Sequence, residues 1–252
     1  MDRKGLALVK IGGSVITDKR RPFFLNRNRL DRLASALASY DGKLVIVHGG
    51  GSYAHPVAKK YGLTLEPSKI DPKGVTLTRL AVLTLHNEIV LSLLKAGVSV
   101  YSIQPLCLLH QEAADILNNI LSNDLTPVTY GDVLPTGHGP CVISGDTLMR
   151  IIASSLRPQK VVFTVDVDGL YDTNPKNGRL LKEVPLNWLP KQTGEAGFDV
   201  TGGIVGKVKE AQKIASMDLD VYFVSGLHPE RVLKVLRGEE TIATRVFGRV
   251  ES

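Results

Sequence analysis

LVIVHGGGSYAH, residues 44–55, sets an apolar, β-branched run directly against three successive glycines. Leu44 to Val47 has no polar position, the pattern of a strand buried on both faces of a sheet. Three glycines in a row are entropically expensive, so a plain turn explains them poorly. Backbone without Cβ atoms lets peptide N–H groups close on an anion. His48 reads as a residue satisfying backbone groups at the strand end, whereas His55, beyond the glycines, falls where a helix would begin and points toward the same place. Imidazole there donates to a phosphate oxygen near neutral pH.

The same grammar recurs on either side. Leu6 to Ile11 runs into Lys10-Ile11-Gly12-Gly13-Ser14, a strand end with a lysine just before its glycines. Asp199-Val200-Thr201-Gly202-Gly203-Ile204-Val205-Gly206-Lys207 leads into helical spacing at Val208, Ala211, Gln212 and Ala215, with Ile214 alongside. A helix N-terminus beside a lysine is an anion site by charge and geometry. Between these lie Ile143-Ser144-Gly145-Asp146 and Thr164-Val165-Asp166-Val167-Asp168-Gly169-Leu170-Tyr171, both after strand-like runs. Open α/β sheets bind ligands at the carboxyl ends of their strands. Blander readings stand beside these: KIGGS as a tight turn, Lys207 as a solvated lysine, Asp166 and Asp168 as turn caps or metal ligands. No P-loop and no dinucleotide fingerprint occurs.

Further buried strands are expected at Val98 to Ile103, Val161 to Val165 and Val221 to Val224, and helical faces at Leu30, Leu33, Ala34 and Leu37. Alternating strands and helices predict an α/β fold with a mainly parallel sheet. The segment Leu80 to Leu94 is apolar around more than one stripe. It must be covered on two sides, by core, by a subunit partner or by an apolar substrate pocket. Turn-rich stretches at 130–140, 172–178 and 190–203 interrupt the pattern, the first as a hairpin or a loop between short strands. Pro158 marks a lobe boundary, giving residues 1–157 and 158–252 as two lobes that share one continuous sheet.

Composition narrows the class. The 252 residues are 43% hydrophobic and 22% charged, which excludes extended disorder. Apolar stretches stop well short of the roughly 20 residues a membrane span needs, so no membrane association is expected. Two cysteines, Cys107 and Cys141, are too few for a disulfide scaffold or zinc cluster and read as buried thiols. The N-terminus reaches glycines before any secretory apolar run, so a cytoplasmic protein is expected. Lysine plus arginine number 31 against 25 acidic residues, a net charge of +6. The densest basic cluster, Lys19 to Arg21, sits beside a glycine motif, which suits a small phosphorylated substrate better than nucleic acid.

Taken in order, KIGGS, HGGGSYAH, ISGD, TVDVDGLY and DVTGGIVGK resemble the amino acid kinase superfamily across nearly the whole chain. The histidine closing HGGGSxxH, SIQP at Ser102 to Pro105, YGD at Tyr130 to Asp132 and ISGD are similar to its isopentenyl phosphate kinase branch. Members that phosphorylate carboxylates lack this histidine, and a fosfomycin kinase branch shares it. The resemblance implies a three-layer αβα sandwich, with isopentenyl phosphate in the N-terminal lobe and ATP with Mg2+ in the C-terminal lobe.

It also implies roles. Lys10, Lys19 and Lys207 would meet the transferred phosphoryl group, with Asp146 holding Lys10 and Lys207. Gly50, Gly51, Gly145 and His55 would bind the acceptor phosphate. Nucleotide contacts would come from Lys10, Gly12, Gly13, Thr164, Asp166, Asp168, Gly169, Tyr171, Gly203 and Lys207. With the Leu80 to Leu94 helix as a wall of the hydrocarbon pocket, Tyr53, Val82, Leu83 and His86 are expected to face the tail, and no protein ligand is assigned to the metal. A homodimer is implied as well. Two departures from the family pattern stand out: Tyr53-Ala54 where relatives commonly carry Phe-Gly, and Leu106-Cys107 where small hydroxyl residues are common. The alternatives are a kinase of another small phosphate or phosphonate such as fosfomycin, or a metabolite-binding module that has lost catalysis.

Overall fold

The structure is a computed structural model and describes residues 5–18, 20–66, 71–190 and 203–248. The first half of the chain forms β1 (Ala7–Ile11), α1 (Gly13–Ile16), α2 (Arg27–Ala38), β2 (Leu44–His48), α3 (Gly51–Lys60) and α4 (Pro72–Lys95). There follow β3 (Val100–Ser102), a 3-10 turn (Pro105–Leu109), α5 (Ala113–Ser122), β4 (Thr126–Tyr130), β5 (Asp132–Leu134), β6 (Cys141–Ile143) and α6 (Gly145–Leu156). The rest comprises β7 (Lys160–Val165), β8 (Leu170–Tyr171), β9 (Leu180–Leu181), β10 (Glu183–Pro185), α7 (Gly203–Ala215), β11 (Val221–Ser225), α8 (Pro229–Arg237) and β12 (Thr244–Phe247).

Among the described residues, eight strands form one sheet in the order β10-β12-β11-β7-β1-β2-β4-β3. Only the β11–β12 pairing is antiparallel, so β12 and β10 run against the other six. In the centre Val9 lies opposite Ile46 on one side and Val162 on the other. Strand alternation then sorts the apolar residues into two cores. Leu8, Val47, Val161 and Phe163 face α6 and α7 through Leu148, Ile152, Val208 and Ile214. Val9, Ile46 and Val162 face α2, α4 and α8 through Leu30, Leu33, Leu85, Ile89 and Val232. Helices on both faces make three layers, and this is why the central strands read as unbroken apolar runs.

Three expectations need correction. The strand at 98–103 is shorter, Val100–Ser102, and is not buried on both faces: it pairs only with β4, and Tyr101 and Ser102 are exposed at the sheet's edge. The thiols are not buried, for Cys107 is exposed and Cys141 half-buried. Both lie on outer connections, the 3-10 turn and the β5–β6 hairpin. Helix α4 is 24 residues long and, by length and composition, apolar enough to cross a membrane. Its Ala81, Leu85, Ile89 and Leu93 are instead packed into the second core.

Coverage of α4 is one-sided within the single chain. Leu80, Leu91 and Leu94 fall on one helical stripe and stay exposed, Leu80 at 59%. The turn-rich stretch at 130–140 joins β5 and β6 as an antiparallel hairpin, and 172–178 lies within the β8–β9 hairpin. Most of 190–203 falls outside the described residues. Helix α6 ends on Arg157 in the left-handed conformation, one residue before Pro158, and β7 then pairs directly with β1.

Phe163 on β7 is fully buried and its ring stacks on Phe223 at 5.2 Å. Truncation of so large a side chain leaves a cavity at the middle of the sheet. Denaturant unfolding of Phe163→Ala should show a loss of about 3–5 kcal/mol; a loss below about 1 kcal/mol would mean that the two layers close over the gap.

Candidate active site

Four helices of this fold begin on glycine, α1 at Gly13, α3 at Gly51, α6 at Gly145 and α7 at Gly203. All four glycines line one cavity of about 310 Å³. It lies over the carboxyl ends of β1, β2 and β7, where a parallel sheet directs the starts of its following helices. The glycine loops are in contact: a Cβ on Gly13 would lie 2.7 Å from the Cα of Gly51, and Gly51 itself has φ +51. Side chains at either place would push the loops apart. Thr164 on β7 ties the first loop down, accepting from the Gly12 N–H and donating to the Lys10 carbonyl, each at 2.9 Å.

Charge is concentrated on Asp146, at the first turn of α6. Lys10 from β1 forms an ion pair with its Oδ1, and Lys207 from α7 donates to Oδ1 at 3.1 Å and Oδ2 at 3.4 Å. Lys10 is only 4% exposed and Asp146 6%. Burial acts to raise the Asp146 carboxyl, but the two lysines outweigh it and hold the group at about 2. Burial pushes the Lys10 ammonium down to about 7, against the pull of Asp146 and with the push of Lys207. When both lysines are protonated, two cations on one carboxylate leave a surplus positive charge facing the cavity, where an anion fits and in turn favours the charged form of Lys10.

The sheet order places the remaining lining on two sides of Lys10. Toward β2 and β4 lie Ala54, Ala58, Val82, Val133, Val142 and Ile143, an apolar chamber with His55 at its polar margin. Toward β7 lie Val165, Asp166, Gly169, Leu170, Tyr171 and Trp188. Ser14 donates to Asp166 at 3.0 Å, joining the first glycine loop to that side.

Most residues singled out from the sequence meet here: Lys10, Gly12, Gly13, Gly50, Gly51, His55, Gly145, Asp146, Asp166, Gly169, Tyr171, Gly203 and Lys207 all line the cavity. Lys19 and residues 199–202 of the third glycine motif lie outside the described residues. Thr164 sits behind the lining, bonded to the β1 backbone. Asp168 is turned outward and pairs with Arg231 of α8 at 2.5 Å. Of the four residues expected against a tail only Val82 lines the cavity. Tyr53 is a helical quarter-turn and more away from Ala54 and His55, its ring edge-on to Phe23 at 5.4 Å. Leu83 packs against the small cluster of Ala54, Val82 and Tyr130, and His86 is buried beneath the cavity against His48.

Other lining residues were given no role by the sequence reading. Asp132, which closes the YGD motif, borders the cavity with Arg79 of α4 bonded to its carboxylate at 3.1 Å. Burial raises the Asp132 carboxyl, and the Val133 N–H and Arg79 offset part of this. Thr78, Ala58, Val133 and Val142 have no local signal, because they reach the cavity only through the packing of α3, α4 and the hairpin.

A family model described as the amino acid kinase family matches residues 5–225. The chain belongs to the amino acid kinase family. An isopentenyl phosphate kinase from Methanothermobacter thermautotrophicus is 34% identical, over 97% of this chain and 100% of its own length. Another from Thermoplasma acidophilum is 30% identical, over 90% of this chain and 94% of its own. A crystal structure of the T. acidophilum isopentenyl phosphate kinase in a product complex superposes with a TM-score of 0.81 at 27% identity, covering 96% of this chain and 99% of that one. The αβα sandwich around the cavity is thus the amino acid kinase fold.

In an amino acid kinase of this geometry, Asp146→Asn leaves Lys10 and Lys207 facing each other without their shared anion. Turnover should fall on the order of 10²-fold; unchanged turnover would remove the triad from the chemistry. A second expectation concerns stability. Burial lowers His48 to about 3 and His86 to about 4, from 6.5. The unfolded chain therefore binds protons that the folded chain refuses, so the contribution of these rings is full above about pH 6.5 and is lost as pH falls toward their folded values. Thermal midpoints taken from about pH 7 down to about pH 5 should fall, and a flat profile there would contradict neutral rings in the fold.

Proposed function

We propose that this chain transfers the terminal phosphoryl group of ATP to isopentenyl phosphate, releasing ADP and isopentenyl diphosphate. One observation carries the reading: a Lys10–Asp146–Lys207 triad, its Lys10 and Asp146 buried, stands between an apolar chamber of small and branched side chains and a loop-built recess beyond β7. An acceptor with an anionic head and a short hydrocarbon tail matches the first half, and a nucleotide the second. The isopentenyl phosphate kinase from M. thermautotrophicus aligns with 97% of this chain, which supports the same choice.

The chemistry asks little of a base. A phosphate monoester has its second pKa near 6, roughly, so the acceptor is already mostly a dianion at neutral pH. Its oxygen attacks the γ-phosphorus as the bond to the β-bridging oxygen breaks, and the charge that must be met lies on the equatorial oxygens. Lys10 and Lys207 supply that charge from fixed positions, with Asp146 keeping them apart from each other's repulsion and in register. The Gly13 amide faces the nucleotide side, beside Gly12 whose own N–H is given to Thr164, and the amides of Gly50, Gly51 and Gly145 with His55 hold the acceptor phosphate. Lys19 would also reach the phosphates. Residues 1–157 form the acceptor lobe and 158–252 the nucleotide lobe, with the boundary between the neighbouring strands β7 and β1.

Magnesium would accompany ATP. Among the described residues no group of three metal-ligating side chains is assembled, and Asp146 is committed to its lysines. The donors for the ion would therefore be ATP phosphates and water. We assign the exposed Leu80, Leu91 and Leu94 stripe to contact between two copies of the chain, and place the enzyme in the cytoplasm with its nucleotide.

ATP consumption by purified protein with magnesium, measured side by side on isopentenyl phosphate, dimethylallyl phosphate, geranyl phosphate and fosfomycin, tests the reading. Turnover should be highest on isopentenyl phosphate, with the diphosphate identified by mass. Activity confined to fosfomycin, or none on any acceptor, would overturn it.

A further inference from the structure

Three residues of the sequence motifs play no part in the chemistry above: the serine of SIQP, the tyrosine of YGD and the histidine that opens HGGG. The fold brings all three to His86, a buried residue of α4. The His86 ring lies 4.5 Å from that of Tyr130 and 5.2 Å from that of His48, which in turn is 5.7 Å from Tyr130. Hydrogen bonds thread the group in one line. Ser102 Oγ meets His86 Nε2, His86 Nδ1 lies 3.0 Å from His48 Nε2, and His48 Nδ1 lies 3.1 Å from the Gly49 carbonyl oxygen.

The polarity of this line is determined from one end. A carbonyl oxygen only accepts, so His48 must carry its proton on Nδ1. Burial keeps both imidazoles neutral at neutral pH, so each ring has one N–H. His48 Nε2 is then an acceptor, His86 must donate from Nδ1, and His86 Nε2 accepts the Ser102 hydroxyl proton. Every donor finds an acceptor in a single direction, from the exposed edge strand β3 to the loop lining the cavity.

What the line restrains is a peptide plane. The Gly49 carbonyl and the Gly50 N–H belong to one planar trans unit and point opposite ways. Drawing the carbonyl toward His48 therefore aims the Gly50 N–H away from it. Three consecutive glycines have wide conformational freedom and no side chains of their own to limit it. His48 is also pinned through its own carbonyl, which accepts from the Gly131 N–H at 3.0 Å. A Cβ on Gly145 would stand only 2.9 Å from that same oxygen.

We propose that Ser102 and His86 are positioning residues for the acceptor phosphate, acting through His48 to fix the Gly49 carbonyl and with it the direction of the loop amides. This rests on the assignment of the Gly49–Gly51 loop to the acceptor phosphate. The relay touches no reacting atom, so its loss should weaken acceptor binding while leaving the nucleotide side nearly untouched.

Two measurements test it. Long-range proton–nitrogen NMR of the wild-type histidine rings should show His48 and His86 both as the Nδ1–H form; a proton on Nε2 of either ring would break the line and overturn the proposal. Steady-state kinetics on isopentenyl phosphate and ATP should show His86→Leu raising the acceptor KM roughly tenfold, with the ATP KM within about twofold. His86→Asn, whose side-chain N–H can stand in for Nδ1–H, should recover most of that loss. Ser102→Ala, at an exposed position that folding tolerates, should raise the acceptor KM about two- to threefold. The proposal fails if acceptor KM is unchanged in both His86→Leu and Ser102→Ala, if both KM values rise equally, or if Asn does no better than Leu. Should His86→Leu not fold, the tautomers and Ser102→Ala decide. A wild-type protein inert toward isopentenyl phosphate would overturn the functional reading and this role together, whereas an active wild type with insensitive variants would overturn the role alone.

Discussion

A single buried carboxylate holds this site together. Asp146 neutralises one of two ammonium groups that would otherwise repel each other in a place almost closed to water, and it does so from the first turn of α6. Lys10 alone at that depth would tend to give up its proton, since burial penalises the charged form. Breaking one side of such a pairing is costly because it leaves a charge without its partner in a poorly hydrated place. The three elements that carry the triad, β1, α6 and α7, must therefore stay in register, and the rest of the architecture can be understood as what keeps them there.

Parallel strands supply that register. β1, β2 and β7 end at the same edge, and the chain turns from each into a glycine-rich or polar loop over the cavity. Side-chain alternation locks the sheet between two apolar layers, so a one-residue slip of β1 would exchange Lys10 with its buried apolar neighbours and empty the triad. Glycine is needed where loops meet at backbone distance, most clearly at Gly13 against Gly51. The Thr164 hydroxyl, bonded at once to Gly12 and Lys10, spans β7 and β1 at the point where two halves of the chain join.

Charge and hydrocarbon are kept apart within one cavity. The apolar chamber is built from α3, α4 and the β5–β6 hairpin, and the cationic centre from β1, α6 and α7. A substrate that is ionic at one end and hydrocarbon at the other satisfies both parts, because its tail escapes water while its phosphate keeps partners for every lost hydration bond. Beneath the chamber the histidine–serine line gives a glycine loop the stiffness it lacks by composition.

Much of this was legible in the residues themselves. Unbroken β-branched runs announced central parallel strands because both their faces are covered, and glycine with lysine at strand ends marked the places that close over one cavity, because bare amides beside a cation suit an anion. Motif order along the chain was enough to indicate the family. Long-range packing decided the rest. Tyr53 and His86 carry the right polarity for a pocket wall, but helix phase and depth turn them into the core, and Leu83 is left half-buried against Ala54, Val82 and Tyr130, while Thr78, Ala58 and Val142 line the cavity with no local sign of it. Val98 to Ile103 has the composition of a central strand and becomes an edge because only β4 lies beside it. Local chemistry determines what a residue can do; which neighbours it meets is a property of the closed fold, where contacts between distant segments outweigh local pattern.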